Sequence, residues 1–377
     1  LDGEIAGTSR IPLQRLAPNL REILEVALYQ VRHLDRVPDY AAVSEAVAHA
    51  RASGGEGAAR LTNGVLRGIL LLPPPSPPPP LLLACHYSHP PFLVERWLRR
   101  FGEEATRRIL EADNRPSGLD LMANPRRTDR AALAAALSGE GIRTEPLPIA
   151  PLALTVVSGN PFRSALFAAG HFSVQDVGSQ ALPQLLPPGE TLVDLAAAPG
   201  GKSFAALALG RCRRSVAVDL SLQRLRLFLE NRRRLGIPEA HPAAGDLAFL
   251  PLAPGRFDRV LLDAPCSGTG TLRKNPEVRY RVTPEAIERL SRAQEAFLAA
   301  AAGLVSPGGL LLYSTCSLEE EENERVVARV VQRDQRLEPA SIDPPEALAP
   351  FVEGARLRLL PDERTDGFTA HLLRRLS

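Results

Sequence analysis

A chain of 377 residues, 45% hydrophobic and 23% charged, is long enough for roughly two or three globular domains and too apolar to be disordered throughout. Its 45 basic and 43 acidic residues leave a formal net charge of +2, so a nucleic-acid partner has to be argued from where charges lie, not from their sum. Four widely spaced cysteines, Cys85, Cys212, Cys266 and Cys316, form no CxxC pair and no compact His/Cys cluster. Neither a zinc site nor a disulfide framework has any spacing in its favour, so no metal is expected and a reducing cytoplasm fits.

The chain starts at Leu1 rather than Met, which leaves a native start upstream open. From 21 to 72, Ile23, Leu24, Val26, Ala27, Tyr29 and Val31, then Val43, Ala46 and Val47, then Leu61, Val65, Leu66 and Ile69 recur at three and four residues. That spacing predicts a small helical domain over 1–72. The run PPPSPPPP at 73–80 favours a stiff extended linker and interrupts the Leu-rich stretch 69–84, so no spanning helix and no membrane partner are expected.

Residues 91–112 read as an amphipathic helix burying Trp97, Leu98, Phe101, Ile109 and Leu110. Strands are expected at 119–123 and 152–157 with a helix at 129–137 between them, a small α+β module placed at 81–178. In 179–377, strand candidates at 192–195, 215–218, 259–262 and 310–313 alternate with helices at 203–208, 221–235 and 284–304. The alternation predicts βαβ units, a parallel sheet and ligands at the carboxyl ends of its strands.

The string DLAAAPGGKS, 194–203, follows the first of these strands, and Gly200 and Gly201 allow backbone to approach a ligand closely. A phosphate-cradling P-loop is disfavoured because Ala196 stands where that motif needs its first glycine. Asp219 ends the next strand, near the ~20-residue offset at which a carboxylate receives ribose hydroxyls, and Asp246 follows in a loop where it can accept from an adenine amine. Adenine and ribose without phosphate contacts point to S-adenosylmethionine. Taken singly, each aspartate is also an ordinary exposed loop residue or helix cap.

Cys85 and Cys212 read as small buried hydrophobes. Cys266 in DAPCSGTG and Cys316 in YSTCSLEEEEN each follow a strand and sit among small polar residues, which leaves room for a planar base. A methyl donor, a reactive thiolate and a second thiol together suit methylation at carbon 5 of a cytosine, a poor nucleophile until a thiolate adds at carbon 6. Asp263, three residues before Cys266, is placed to hydrogen-bond the cytosine amine and ring nitrogen 3, or else only caps a strand end. Arg273, Lys274, Arg279 and Arg281 in RKNPEVRYR are candidates for RNA phosphates, and Glu319 to Glu322 read as an exposed first turn of a helix.

Together these strings, with GHFSVQDVGSQ at 170–180 and HYSHPPFLVERWL at 86–98, resemble the RNA (cytosine-5)-methyltransferase family, in its bacterial ribosomal RNA branch called Sun or RsmB. The resemblance implies a multidomain chain: an α-helical NusB-like amino-terminal domain, a small α+β, RRM-like RNA-binding module and an α/β Rossmann-like methyltransferase domain. It implies Cys316 as nucleophile, Cys266 as the residue that releases product, and a donor pocket of Ala196, Ala197, Ala198, Pro199, Gly200, Gly201, Lys202, Asp219, Asp246 and Asp263. Ala196 replaces the family's usual cysteine in the first string. Small-subunit ribosomal RNA is the implied substrate and a monomer the expected state. The same chemistry on transfer RNA or another ribosomal site, and a non-catalytic RNA-binding or assembly factor, are the alternatives.

Overall fold

In the computed structural model, which describes residues 1–71 and 79–376, the chain divides into two compact units, Leu1–Thr106 and Arg107–Ser377. The first is helical: α1 (Asp2–Thr8), α2 (Pro18–His33), α3 (Asp39–Leu71, broken at Gly55), α4 (Pro79–Tyr87) and the start of α5 (Pro91–Asp113). Leu20, Leu24, Ala27 and Leu28 form the buried stripe of α2 and pack with Ile5, Ala50 and Leu66. Val26 and Tyr29, counted above in the apolar pattern, lie off that stripe and are 59% and 51% exposed.

Of the proline run expected as a linker, 73–78 lie outside the described residues, and Pro79 and Pro80 open α4, where the first turn of a helix needs no backbone N–H from them. The division between the units falls not there but within α5, which is kinked at Gly102 with φ 78°. In that helix Trp97, Ile109 and Leu110 are buried, while Leu98 and Phe101 are half-buried.

The second unit contains, among its described residues, two sheets. The smaller is built from β1 (Leu119–Ala123), β2 (Arg143–Pro146), β3 (Ala153–Ser158) and β4 (Phe172–Val174) in the order β2-β3-β1-β4, all neighbours antiparallel, with α6 (Arg130–Gly139) and α7 (Ala165–Ala168) in its connections. Asp129 is not the first turn of α6 but its N-cap, accepting from Ala132 N at 2.8 Å. β2 escaped the sequence reading because RTEP is a polar edge strand with no apolar alternation.

After α8 (Val177–Ala181) the larger sheet begins with β5 (Thr191–Leu195), α9 (Gly201–Ala208), β6 (Arg214–Asp219), α10 (Leu222–Leu235) and β7 (Ala240–Ala244). It continues through β8 (Phe257–Asp263), α11 (Val278–Arg281), α12 (Pro284–Leu304), β9 (Val305–Thr315) and α13 (Glu324–Arg333). β10 (Leu337–Pro339), β11 (Val352–Glu353), β12 (Arg356–Leu359) and β13 (Phe368–Arg375) complete it. The order is β11-β12-β13-β9-β8-β5-β6-β7, with β10 paired to β13.

From β9 to β7 all neighbours are parallel, but β13 runs antiparallel to β9, so the sheet is mixed and not purely parallel. The alternating-pattern argument stops at the last crossover helix and gives no warning of returning strands. Pro242 hides β7 in the sequence and is tolerated because β7 is an edge strand. Val260, Leu261 and Leu262 on β8 and Leu311 and Leu312 on β9 are buried, each worth about 1.5–3 kcal/mol of apolar burial. This core fixes the neighbouring carboxyl ends of β5, β8 and β9, and the chemistry lies there.

Candidate active site

β5 delivers the chain into a tight turn that α9 leaves. Ala196 is held left-handed at φ 60°, a cost of about 1–2 kcal/mol for a residue with a Cβ. Gly200 has φ 109°, and a Cβ there would meet Phe204 at 2.5 Å and Phe228 at 2.6 Å, so only glycine lets the turn sit down on those rings. Asp219, expected to receive ribose hydroxyls, is 4% exposed and braces this turn: its Oδ2 accepts from Ala198 N at 3.0 Å and its Oδ1 from Ser221 N at 2.9 Å. Arg224 adds a hydrogen bond to Ala198 O. Below the turn Asp194 is fully buried, accepts from Ser203 Oγ at 2.7 Å, and is pushed up to about 6 by burial, which outweighs that hydrogen bond.

Two cavities flank the turn. One of about 320 Å³ is lined by Asp219, Leu220, Asp246, Leu247, Pro265 and Phe297. Its apolar walls and two carboxylates fit an adenosine, a flat ring system whose ribose hydroxyls and amine are donors. Asp246 already holds its own loop through Ala248 N at 2.8 Å. The second cavity, about 420 Å³, is lined by Ala196 to Pro199, Gly201, Lys202, Gln175 and Asp263, and shares Ala196 and Arg224 with the first.

Asp263 ends β8 opposite Ser314 on β9. Its Oδ1 accepts from Ser314 Oγ at 2.8 Å and its Oδ2 pairs with Lys202 Nζ at 2.6 Å. Burial disfavours the Lys202 ammonium, but Asp263, Asp194 and Cys316 together raise its pKa. Cys266 Sγ and Cys316 Sγ lie 3.4 Å apart. The Cys266 thiol is driven well above the ordinary range by its hydrogen bond to Cys316, then by burial and the charges on Cys316, Glu322 and Asp263. Cys266 therefore keeps its proton.

Glu322 is the group that sequence reading misplaced. It is fully buried, not on an exposed helical turn, and Glu319 is 2% exposed. Its Oε1 accepts from Ser267 N at 2.8 Å and Gln294 Nε2 at 3.0 Å; its Oε2 accepts from Ser317 Oγ at 2.6 Å and from Ser267 Oγ. Ser267 and Ser317 are the residues after the two cysteines, so one carboxylate ties both thiol loops together. Burial raises its pKa against these donors. Asn323 extends the network, accepting from Thr315 Oγ1 at 2.7 Å and donating to Ser317 O at 3.0 Å.

The basic string is turned largely inward. Arg273 has a side chain 4% exposed and pairs with Asp366, and Lys274 pairs with Asp176 and, at 2.8 Å, with Asp366. Burial, then the neighbouring Asp176, pushes Asp366 up to about 6 despite these cations. Arg279 donates to Asp113 O at 2.8 Å, and Arg281 is exposed. Expected to meet phosphates, Arg273 and Lys274 instead fasten the segment after Cys266 to Asp176 and to the loop before β13. Of the remaining thiols, Cys85 is exposed, contrary to the buried reading, and Cys212 is buried, which pushes it up to about 12. Among the described residues no acidic, His or Cys cluster could hold a metal ion, and no helix is long and apolar enough to cross a membrane.

Residues 183–374 match the family model described as 16S rRNA methyltransferase RsmB/F, 1–70 match the NusB family, and 89–163 match the ferredoxin-like domain of RsmF/B-like methyltransferases. A Bacillus subtilis protein named probable ribosomal RNA small subunit methyltransferase B is 36% identical over 368 residues, 94% of this chain and 82% of that protein. A Klebsiella pneumoniae protein named ribosomal RNA small subunit methyltransferase B is 34% identical over 316 residues, 82% of this chain and 73% of its own. A solved methyltransferase homolog from Pyrococcus horikoshii, 26% identical, superposes with a TM-score of 0.66 over 80% of this chain and 100% of its own.

Proposed function

The chain belongs to the 16S rRNA methyltransferase RsmB/F family, and on that premise we propose that it methylates carbon 5 of a cytosine in small-subunit ribosomal RNA, with S-adenosylmethionine as donor. The observation that carries this reading is the thiol pair, 3.4 Å apart at adjacent strand ends beside the Lys202–Asp263 ion pair. The cavity of Asp219 and Asp246 holds the adenosine of the donor, and the turn Ala196 to Lys202 its remainder.

Cys316 is the nucleophile. Its sulfur lies on the side of the Lys202 ammonium and accepts from protonated Cys266. Addition at carbon 6 forms the S–C bond and moves the ring electrons to carbon 5. Asp263, its charge balanced by Lys202, accepts from the cytosine amine and holds the ring. When bound, S-adenosylmethionine supplies the electrophilic methyl group that carbon 5 receives. With Cys316 bonded to carbon, the largest of the causes that kept Cys266 protonated no longer acts. Cys266 gives its proton to solvent and takes the one on carbon 5, which restores the ring double bond and expels Cys316 as thiolate. The base has to be unstacked to reach these groups, at a cost of a few kcal/mol that backbone contacts offset, Arg281 among them.

The test is to incubate Cys266→Ala and Cys316→Ala with S-adenosylmethionine and unmodified small-subunit RNA and look for a covalent protein–RNA band on a denaturing gel. A band from Cys266→Ala alone is expected. A band from Cys316→Ala alone reverses the two roles, and no band from either overturns the proposed chemistry.

A further inference from the structure

The larger cavity at the donor turn has a wall that the chemistry above does not use. Besides the turn, Lys202 and Asp263, it is lined by Phe162 and Phe167, from the connection between β3 and β4, and by Arg224 and Arg234 of α10. Phe162 is 52% exposed. A phenylalanine left in water is ordinary when it stands singly on a surface, but this one lines the cavity of the reacting groups and is braced there. Its backbone N–H donates to Asn160 Oδ1 at 3.0 Å, and Pro161 before it is buried. Its ring meets that of Phe167 edge to face, 5.4 Å between centroids.

Phe167 in turn lies under the Arg234 guanidinium, 4.1 Å from the ring centroid, and Arg234 donates to Phe167 O and Phe172 O at 2.8 Å each. Asn124 Nδ2 closes the clamp, donating to Gly170 O and Leu235 O at 2.8 Å. The aromatic segment is thus fastened to α10, and Phe162 offers its open surface from a fixed support. The strands of the small sheet carry one aromatic residue, Phe172, and it is fully buried. Stacking bases on that sheet, as RRM-like modules do, has no ring to use; the connection after β3 presents the ring instead.

Charge and continuity name the occupant. Lys202, Arg224 and Arg234 line the cavity against a single carboxylate, Asp263, which Lys202 already balances. An aromatic face beside excess positive charge suits a nucleobase and its backbone phosphate. A cytosine held by Asp263 brings the next nucleotide of its strand to the same walls. We infer that Phe162 is the stacking platform for a nucleotide adjacent to the target cytosine, with the half-exposed Arg224 side chain meeting the backbone beside it. The inference rests on the proposed cytosine chemistry and gives the substrate a grip away from the reacting atoms. A base stacked on Phe162 replaces part of the stacking that is lost when the target is drawn out of its helix.

Phe162→Leu and Phe162→Trp variants of the whole chain are compared with wild type on unmodified small-subunit RNA. Phe162→Leu keeps apolar bulk and removes the aromatic face. Its KM for RNA is expected to rise roughly ten-fold with kcat within about two-fold of wild type, because a contact made equally before and during the reaction acts on KM. Phe162→Trp is expected to keep the wild-type KM. Its added indole is exposed, whereas the chain's own Trp97 is buried, and stacking on a base is expected to quench the added emission as RNA is titrated in. Thermal unfolding and affinity for S-adenosylhomocysteine are expected to match wild type in both variants. A wild-type KM in Phe162→Leu, or an indole whose emission saturating RNA leaves unchanged, overturns the inference. Equal weakening of RNA and S-adenosylhomocysteine also overturns it, since Phe162 would then support the donor turn. If the wild-type chain transfers no methyl group to this RNA, the proposed function fails instead, and the indole titration still decides whether RNA covers Phe162.

Discussion

Cys266 and Cys316 follow neighbouring parallel strands in short strings that differ little, Pro-Cys-Ser and Thr-Cys-Ser, yet their surroundings differ. Cys266 keeps its proton through its hydrogen bond to Cys316, then through burial and the nearby carboxylates of Glu322 and Asp263, whereas Cys316 contributes to holding the Lys202 ammonium charged. In the proposed chemistry, identical side chains 3.4 Å apart are given different work by their neighbours, one as electron-pair donor and one as proton carrier. The lesson is that the residue type fixes the available chemistry and the adjacent charges assign the role.

The comparison breaks most completely if Cys316 loses its thiol. Cys316→Ser is expected to lower turnover by roughly 10³-fold or more in a methyl-transfer assay on unmodified RNA, because an alcohol at this site is far from ionised. Retention of a tenth of the activity would remove Cys316 from the bond-forming step. Next in size is the loss of the cation. Lys202→Met is expected to lower turnover about 100-fold and to slow alkylation of Cys316 by iodoacetamide about ten-fold at pH 7, read by mass spectrometry peptide by peptide. If Cys316 reacts as fast in the variant, the field distinguishing the two thiols has another source.

Glu322→Gln sharpens the comparison from below, because it keeps shape and replaces one acceptor by an N–H donor facing hydroxyl and amide donors. A destabilisation of about 1–3 kcal/mol in urea unfolding is expected. The readout specific to the thiols is the rate at which diamide closes a Cys266–Cys316 disulfide in the folded protein. It should fall several-fold once the two loops are no longer tied by one carboxylate. An unchanged closure rate would mean the strand ends alone set the thiol distance.

Much of the fold was legible because βαβ units write themselves locally: a buried strand, a glycine or aspartate at its end, then a helix cap. Ser221 and Thr283 accept from Arg224 N and Ala286 N as caps do, and the helix predicted at 284–304 spans Pro284–Leu304. The chemistry strings were legible for the same reason, each lying beside a strand end. What stayed hidden depends on partners distant in sequence. Glu322 read as surface because four glutamates in a row look solvated, and nothing local tells that Ser267, Gln294 and Ser317 converge on the last of them. Arg273 and Lys274 read as phosphate ligands because Asp176 and Asp366, which neutralise them, lie on other elements. Gln175 lay within GHFSVQDVGSQ, one of the strings that carried the resemblance, but that its buried carboxamide has no partner shows only in its surroundings.

An effect confined to stability concerns the support under the donor turn, where a carboxylate is held at odds with its surroundings. Asp194 is fully buried and its pKa is about 6, above the 3.8 of a free aspartate. Because the folded value is raised, the contribution of Asp194 to stability is fully present below about pH 4 and is lost as pH rises through 6. The difference amounts to about 3 kcal/mol, taking each pKa unit at about 1.4 kcal/mol. Asp194→Asn keeps an acceptor for Ser203 Oγ and has no proton to lose. Its stability relative to wild type, measured by urea unfolding between pH 4.5 and 8, should therefore improve steadily with pH and level off above about 7. A difference that stays flat would show that Lys202, which also faces this carboxylate, keeps it ionised throughout. The donor turn would then rest on a second buried ion pair and not on a shared proton with Ser203.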